Sequence, residues 1–185
     1  MKISIVLGVS SCLLGEKVRY DGGHKLDLFI AGILGRYVRY VPVCPEMECG
    51  FGAPREPLCL LGRPDSPRLV TVHTRQDHTG RMLEWARKRV IELEGEGLSG
   101  FIFKSGSPSS GMERVKVYNE KGVAVEEGVG VFARAFIEHF PQLPVEDEER
   151  LQNIEIRRSF LERIFDGQAL PRSLCAARNL RDCQD

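Results

Sequence analysis

The order of apolar and polar positions reads as alternating strands and helices. Residues 2–9 form a β-branched apolar run that ends in a Gly/Ser cluster, the pattern of a buried parallel strand. Residues 25–37 carry apolar side chains at helical spacing, and residues 38–43 predict a second strand closed by Cys44-Pro45. Residues 50–67, rich in glycine and proline, predict a long irregular loop. A strand is expected over 68–74. An amphipathic helix is expected over 79–96, with Met82, Trp85, Ala86, Val90 and Leu93 on one side. Residues 100–104 predict another strand. Residues 114–118 and 123–126 alternate around Asn119-Glu120-Lys121-Gly122 as a hairpin does. Helices are expected over 129–140 and 146–165, the second opening on a solvated charged run, 146–150. Residues 166–185 show no pattern and read as a tail.

This alternation predicts an α/β fold: one Rossmann-like, three-layer domain, a mostly parallel sheet with helices on both faces, and a small β-hairpin. The expected division is a domain over 1–144 followed by a C-terminal helix and tail over 145–185. At 185 residues there is room for one domain with a sizeable core. No apolar run approaches the ~20 residues needed to span a bilayer. The start, interrupted by Gly8, Ser10 and Ser11, reads as a strand rather than a secretory leader, so a cytoplasmic location is expected. Twenty-six basic residues balance 26 acidic ones. That gives no global electrostatic case for nucleic acid or an anionic membrane as partner.

In parallel sheets ligands bind beyond the carboxyl ends of the strands. Cys12, Cys44 and the loop KSGSPSSG, residues 104–111, each follow a predicted strand. Three distant loops are therefore expected at one sheet edge, two of them bringing a cysteine. The six cysteines are Cys12, Cys44, Cys49, Cys59, Cys175 and Cys183. In a reducing compartment they read as buried, metal-binding or catalytic rather than disulfide-bonded. Cys12 reads equally well as a small core residue. Asp21-Gly22-Gly23 is a turn able to aim Asp21 or His24 at the site. A Cys-Pro pair at a strand end is a common setting for a cluster ligand. Glu46, two residues on, is a candidate acid, base or substrate anchor. Arg55 and Glu56, between two prolines, read as a rigid ion pair, and Cys49 and Cys59 as packing residues. The third loop exposes backbone N–H groups and hydroxyls that favour an anion or a polar ring, with Lys104 adding positive charge. It is not a Walker A motif, and the four histidines lack zinc spacing.

Taken together, V-S-S-C-L-L-G with Y-D-G-G, V-C-P-E with G-F-G-A-P-R-E-P, and K-S-G-S-P-S-S-G-M-E-R-V-K-V-Y resemble the domain of unknown function 523 family, which includes the thiouracil desulfurases. The resemblance runs from about Ile3 to Phe140, and the chain is similar to a truncated copy of the two-domain type. It implies an iron–sulfur enzyme with a 4Fe–4S cluster on three protein ligands and one open iron. That iron acts as a Lewis acid in the non-redox removal of sulfur from a thiolated pyrimidine. Carried over by position, Cys12 and Cys44 match two ligands. Glu46 and Ser107 match catalytic groups. From the turn and the third loop themselves, Asp21, Lys104 and Ser105 are expected to line the substrate. The implied partner is a small thiolated nucleobase or nucleoside, with tRNA left open.

The third ligand position is Ser110, where the family pattern has cysteine. Three readings follow: a weakened cluster with Ser110 as ligand, Cys49 as substitute, or a site without a cluster. The alternative function is a cluster-free small-ligand or nucleotide-binding module on the same fold. A zinc site of Cys12, Cys44 and Cys49 is a third.

Overall fold

The computed structural model describes residues 5–166, Pro171 and Leu174. Most of the 166–185 segment, with Cys175 and Cys183, lies outside the described residues. The central element is β1 (Val6–Ser10). It pairs in parallel with β2 (Arg39–Val43) on one side and β5 (Gly100–Phe103) on the other, and β8 (Val145–Asp147) adds a parallel edge to β5.

Alternation along these strands divides the core in two. Val41, Val43, Phe101 and Phe103 face α2 (Thr79–Glu94) and α3 (Val131–His139), burying Ala86, Val90, Leu93, Phe132 and Phe136. Leu7, Val9 and Ile102 face the opposite layer, which holds Phe29, Ile30 and Leu34 and the apolar face of α4 (Ile154–Phe165). The expected three-layer α/β architecture is thus present. Gly8 permits it: a Cβ there would lie 2.1 Å from the Phe101 ring.

A second, mixed sheet has the order β4–β3–β6–β7. Its strands are β3 (Leu58–Leu61), β4 (Arg68–Thr71), β6 (Val115–Tyr118) and β7 (Ala124–Gly128). The expected hairpin is β6–β7. Strand β3 corrects the expectation of a loop throughout 50–67. Its four residues, Leu58-Cys59-Leu60-Leu61, are held by non-local partners. Leu60 pairs antiparallel with Leu69 and parallel with Val117, which the surrounding prolines and glycines conceal.

Two helices also differ from expectation. In place of a regular helix over 25–37, a π-helical turn (Phe29–Ile33) leads into a 3-10 turn (Leu34–Arg36). Asp27 accepts a hydrogen bond from the Ile30 N–H at 2.8 Å, and the hydroxyl of the half-buried Tyr40 donates to the Ile30 carbonyl at 2.7 Å. The 146–165 segment begins as strand β8 and a 3-10 turn (Arg150–Gln152) before α4 starts. Asn153 sets that start: its side chain accepts from the Glu155 and Ile156 N–H groups. Among the described residues no helix is long and apolar enough to cross a membrane.

Strand order reverses direction at β1, where β2 lies on one side and β5 on the other. The loops after all three strands leave the same edge, where open parallel sheets place ligands.

Candidate functional site

The β1 loop turns at once into a 3-10 turn (Ser11–Leu14) that buries Cys12 and ends at Gly15, whose φ of 92° suits glycine. The β2 loop places Cys44 immediately before α1 (Pro45–Glu48), so Pro45 and Glu46 form the first turn. The Glu48 carboxylate accepts from the Cys44 N–H at 3.0 Å and fixes that junction.

The third loop is held from both ends. Ser10 at the end of β1 accepts from the Lys104 N–H at 2.9 Å. The Ser107 hydroxyl accepts from the N–H groups of Ser109 (3.3 Å) and Ser110 (3.1 Å), closing a turn on the loop itself. The start of α3 clamps the far side. Gly130 N–H donates to the Gly111 carbonyl at 2.7 Å and Phe132 N–H to the Ser109 carbonyl at 2.9 Å.

These loops enclose a cavity of about 410 Å³ lined by Cys12, Cys44, Glu46, Lys104, Ser107 and Ser110, with Ser105 and Arg55 beside them. A wider groove of about 980 Å³ adjoins it through Leu58, Ser105, Gly106 and Pro108.

Glu46 is the most constrained group. Its side chain is 12% exposed. Oε1 accepts from the Ser109 hydroxyl at 2.6 Å. Oε2 lies 3.7 Å from Cys44 Sγ and 3.8 Å from Arg55. Arg55 also donates to the carbonyls of Val18 (2.9 Å) and Gly52 (2.7 Å), tying the first loop to the second. The pair expected between Arg55 and Glu56 does not form. Glu56 turns away to accept from the Thr74 N–H and hydroxyl, both at 2.8 Å.

Burial pushes the Cys12 thiol up to about 11 and the Cys44 thiol up to about 12, with Glu46 raising both further. Lys104 acts the other way on Cys12, and Arg55 on Cys44. In this environment both thiols are neutral at pH 7 until a cation or cluster compensates their charge.

Not every expected group reaches the cavity. Asp21 is exposed, accepts from the Gly23 N–H at 2.9 Å and lies 3.6 Å from Arg19, which does line the cavity. His24 accepts from the Leu26 N–H and stays outside. Cys49 packs its sulfur 3.6 Å from Met82 Sδ in a separate apolar cluster, so it does not join Cys12 and Cys44. Two residues were not singled out from the sequence: Ser109, and Glu148, which reaches back from beyond β8. Glu148 accepts from Lys104 Nζ, and from the Ser105 N–H and the Ser105 hydroxyl at 2.8 Å each. It corrects the reading of 146–150 as a solvated run, since its side chain is only 12% exposed.

The donor set can be weighed against an iron–sulfur cluster. Cys12 and Cys44 offer the soft sulfur that such clusters use. The third lining donor is the Ser110 hydroxyl, buried to 4% exposure. Among the described residues no group of three or more His, Cys, Asp or Glu side chains is placed to hold a metal ion. The site fits at two ligands and departs at the third.

The chain matches the model of one family, 2-thiouracil desulfurase, over residues 7–148. The uncharacterized protein YbbK of Bacillus subtilis (strain 168) is 32% identical over 108 residues, 56% of this chain and 71% of that protein. The solved structure of the [4Fe-4S]-dependent thiouracil desulfidase TudS is similar with a TM-score of 0.66 at 28% identity. That match covers 84% of this chain and 99% of the TudS chain.

Proposed function

The chain belongs to the 2-thiouracil desulfurase family, and we propose that its cavity takes a small thiolated pyrimidine and replaces the ring sulfur by oxygen. The balance is one water consumed and one hydrogen sulfide released, with no net redox change. The observation that carries this reading is the convergence of Cys12, Cys44, Glu46 and Ser107 on one cavity at the switch point of the parallel sheet. The similar TudS structure, by its name dependent on a 4Fe–4S cluster, supports the cofactor.

Cys12, Cys44 and Ser110 would hold that cluster, which when bound supplies an open iron as a Lewis acid toward soft sulfur. Glu46 is the acid–base group. Ser109 holds one of its oxygens, which leaves the other, near Cys44, to carry or accept a proton at the ring. Ser107 offers a hydroxyl at the ring. Lys104 and Ser105 shape the cavity wall. Ser110 weakens the assembly, because a serine hydroxyl is far harder to ionise than a thiol, whose ordinary pKa is ~8.5, and iron in clusters prefers thiolate.

The test is Ser110→Cys purified without oxygen beside the unmodified chain. Iron and sulfide content and thiouracil turnover are expected to rise together in the variant. If neither chain takes up iron and neither releases sulfide from 2-thiouracil, the proposal is overturned. The Ser110 hydroxyl at the third position favours one second reading, a cluster-free binding site. It requires a rise in melting temperature when a nucleobase is added to metal-free protein.

A further inference from the structure

Four basic side chains line the cavity, Arg19, Lys25, Arg55 and Lys104, and the two most buried, Arg55 and Lys104, are already matched. The Lys104 ammonium has three N–H donors. They meet three acceptors: the Ser105 carbonyl at 2.8 Å, the Ser105 hydroxyl at 2.9 Å, and Glu148 Oε1. Glu148 takes this charge almost out of water, with 16% of the Lys104 side chain and 12% of its own exposed. Arg55 is likewise occupied by two carbonyls and Glu46. Of the other two, Lys25 is exposed, where solvent and salt screen its charge, and the half-buried Arg19 pairs with Asp21 at 3.6 Å. Among the described residues, the buried part of the lining therefore offers hydroxyls and peptide groups to a ligand, and its cations are already paired.

We infer that Glu148 is a specificity-determining residue: by saturating Lys104 it makes the cavity select an uncharged pyrimidine over one that carries an anionic group on the ring. This rests on the pyrimidine-binding reading above. An anionic ring entering the wild-type cavity loses hydration and finds Lys104 already paired, with the Glu46 and Glu148 carboxylates close by. Desolvation without a partner is costly, and like charges side by side add to it. A neutral ring meets neither cost. The same geometry predicts that removing the Glu148 charge, while keeping an oxygen for the Ser105 N–H, turns Lys104 into a free anion site.

The probes are uracil, which is neutral at pH 7, and orotate, the same ring bearing a carboxylate. Both are titrated into the full chain while the amide resonances of Lys104 and Ser105 are followed. Wild type is expected to bind uracil more tightly than orotate. Glu148→Gln is expected to tighten orotate by roughly tenfold, the scale of one newly available charge in a half-screened site, while uracil stays within about twofold. Lys104→Gln, which leaves Glu148 unpaired, must move the ratio the other way and weaken orotate further. That second variant decides the matter if Glu148→Gln is too unstable to titrate. If uracil binds wild type and neither variant changes the orotate-to-uracil ratio, the specificity role is overturned and the pyrimidine site stands. If neither ring shifts the cavity resonances of the wild-type chain, the site is not a pyrimidine site and both readings fall.

Discussion

The Ser109 hydroxyl donates to Glu46 Oε1 at 2.6 Å, across 63 residues of sequence. Ser109 has no exposed surface, and its carbonyl accepts from the first turn of α3. The proposed acid–base group is thus oriented by a side chain whose own position is set by a helix packed on the sheet. Ser109→Ala removes the donor and leaves the Glu46 carboxylate with two longer contacts, to Cys44 Sγ at 3.7 Å and to Arg55 at 3.8 Å. A hydrogen bond to a charged group contributes about 1.5–3 kcal/mol. A loss of that size is expected in urea unfolding, together with a fall in kcat larger than any change in KM. An unchanged urea midpoint in Ser109→Ala counts against the contact.

Cys49 gives the complementary case. Its sulfur touches Met82 and its neighbours are Leu60, Leu69 and Val117. Cys49→Ala should cost about 1–2 kcal/mol of stability, as small core truncations do. Iron uptake under anaerobic reconstitution should match the unmodified chain. A loss of iron in Cys49→Ala would restore Cys49 as a ligand.

The parts of this arrangement that were legible in the sequence are those carried by local pattern. β1, β2 and β5 are apolar runs that end in Gly/Ser, Cys-Pro and Lys-Ser, and the sheet-edge rule then brings Cys12, Cys44 and Ser110 to one cavity. Glu148 was not legible, because its role depends on β8 pairing with β5. Three residues of strand inside a charged, helix-like segment leave no periodicity to read. The same is true of β3, whose pairing partners lie up to about 60 positions away along the chain and whose flanks are rich in turn formers. Asp21 was over-read: an Asp-Gly-Gly turn looks aimed at a site, but its carboxylate satisfies its own turn.

The two cavity thiols make metal-free stability depend on pH. Their folded pKa values, about 11 for Cys12 and about 12 for Cys44, lie above the ordinary thiol value of ~8.5. In the range between, the unfolded chain loses protons that the folded chain keeps, so the unfolded state is favoured as pH rises. The contribution is complete below ~8.5 and is lost progressively toward the folded values. The urea midpoint of cluster-free protein is therefore expected to fall more steeply from pH 8 to pH 10 (about the span below the folded values) than that of Cys12→Ser/Cys44→Ser. Parallel curves for the two chains would show that burial does not hold these thiols neutral.

Gly130 ties the helix to the loop by close approach rather than by unusual dihedrals. Its φ of −60° and ψ of 147° are open to any residue. A Cβ there, however, would lie 2.5 Å from the carbonyl carbon and oxygen of Ser109 and 2.8 Å from Gly111 N. All three are backbone atoms, so no side-chain rotation relieves the contact. Gly130→Ala should cost about 1–3 kcal/mol, the range for overpacking. The displacement should travel through Ser109 to Glu46 and through Gly111 to the turn closed by Ser107. A destabilised Gly130→Ala chain whose Ser109 and Glu46 resonances are unmoved would mean that α3 stabilises the fold without setting the site. Moved resonances with turnover lowered in step would place α3 in control of the loop that carries Ser107 and Ser110.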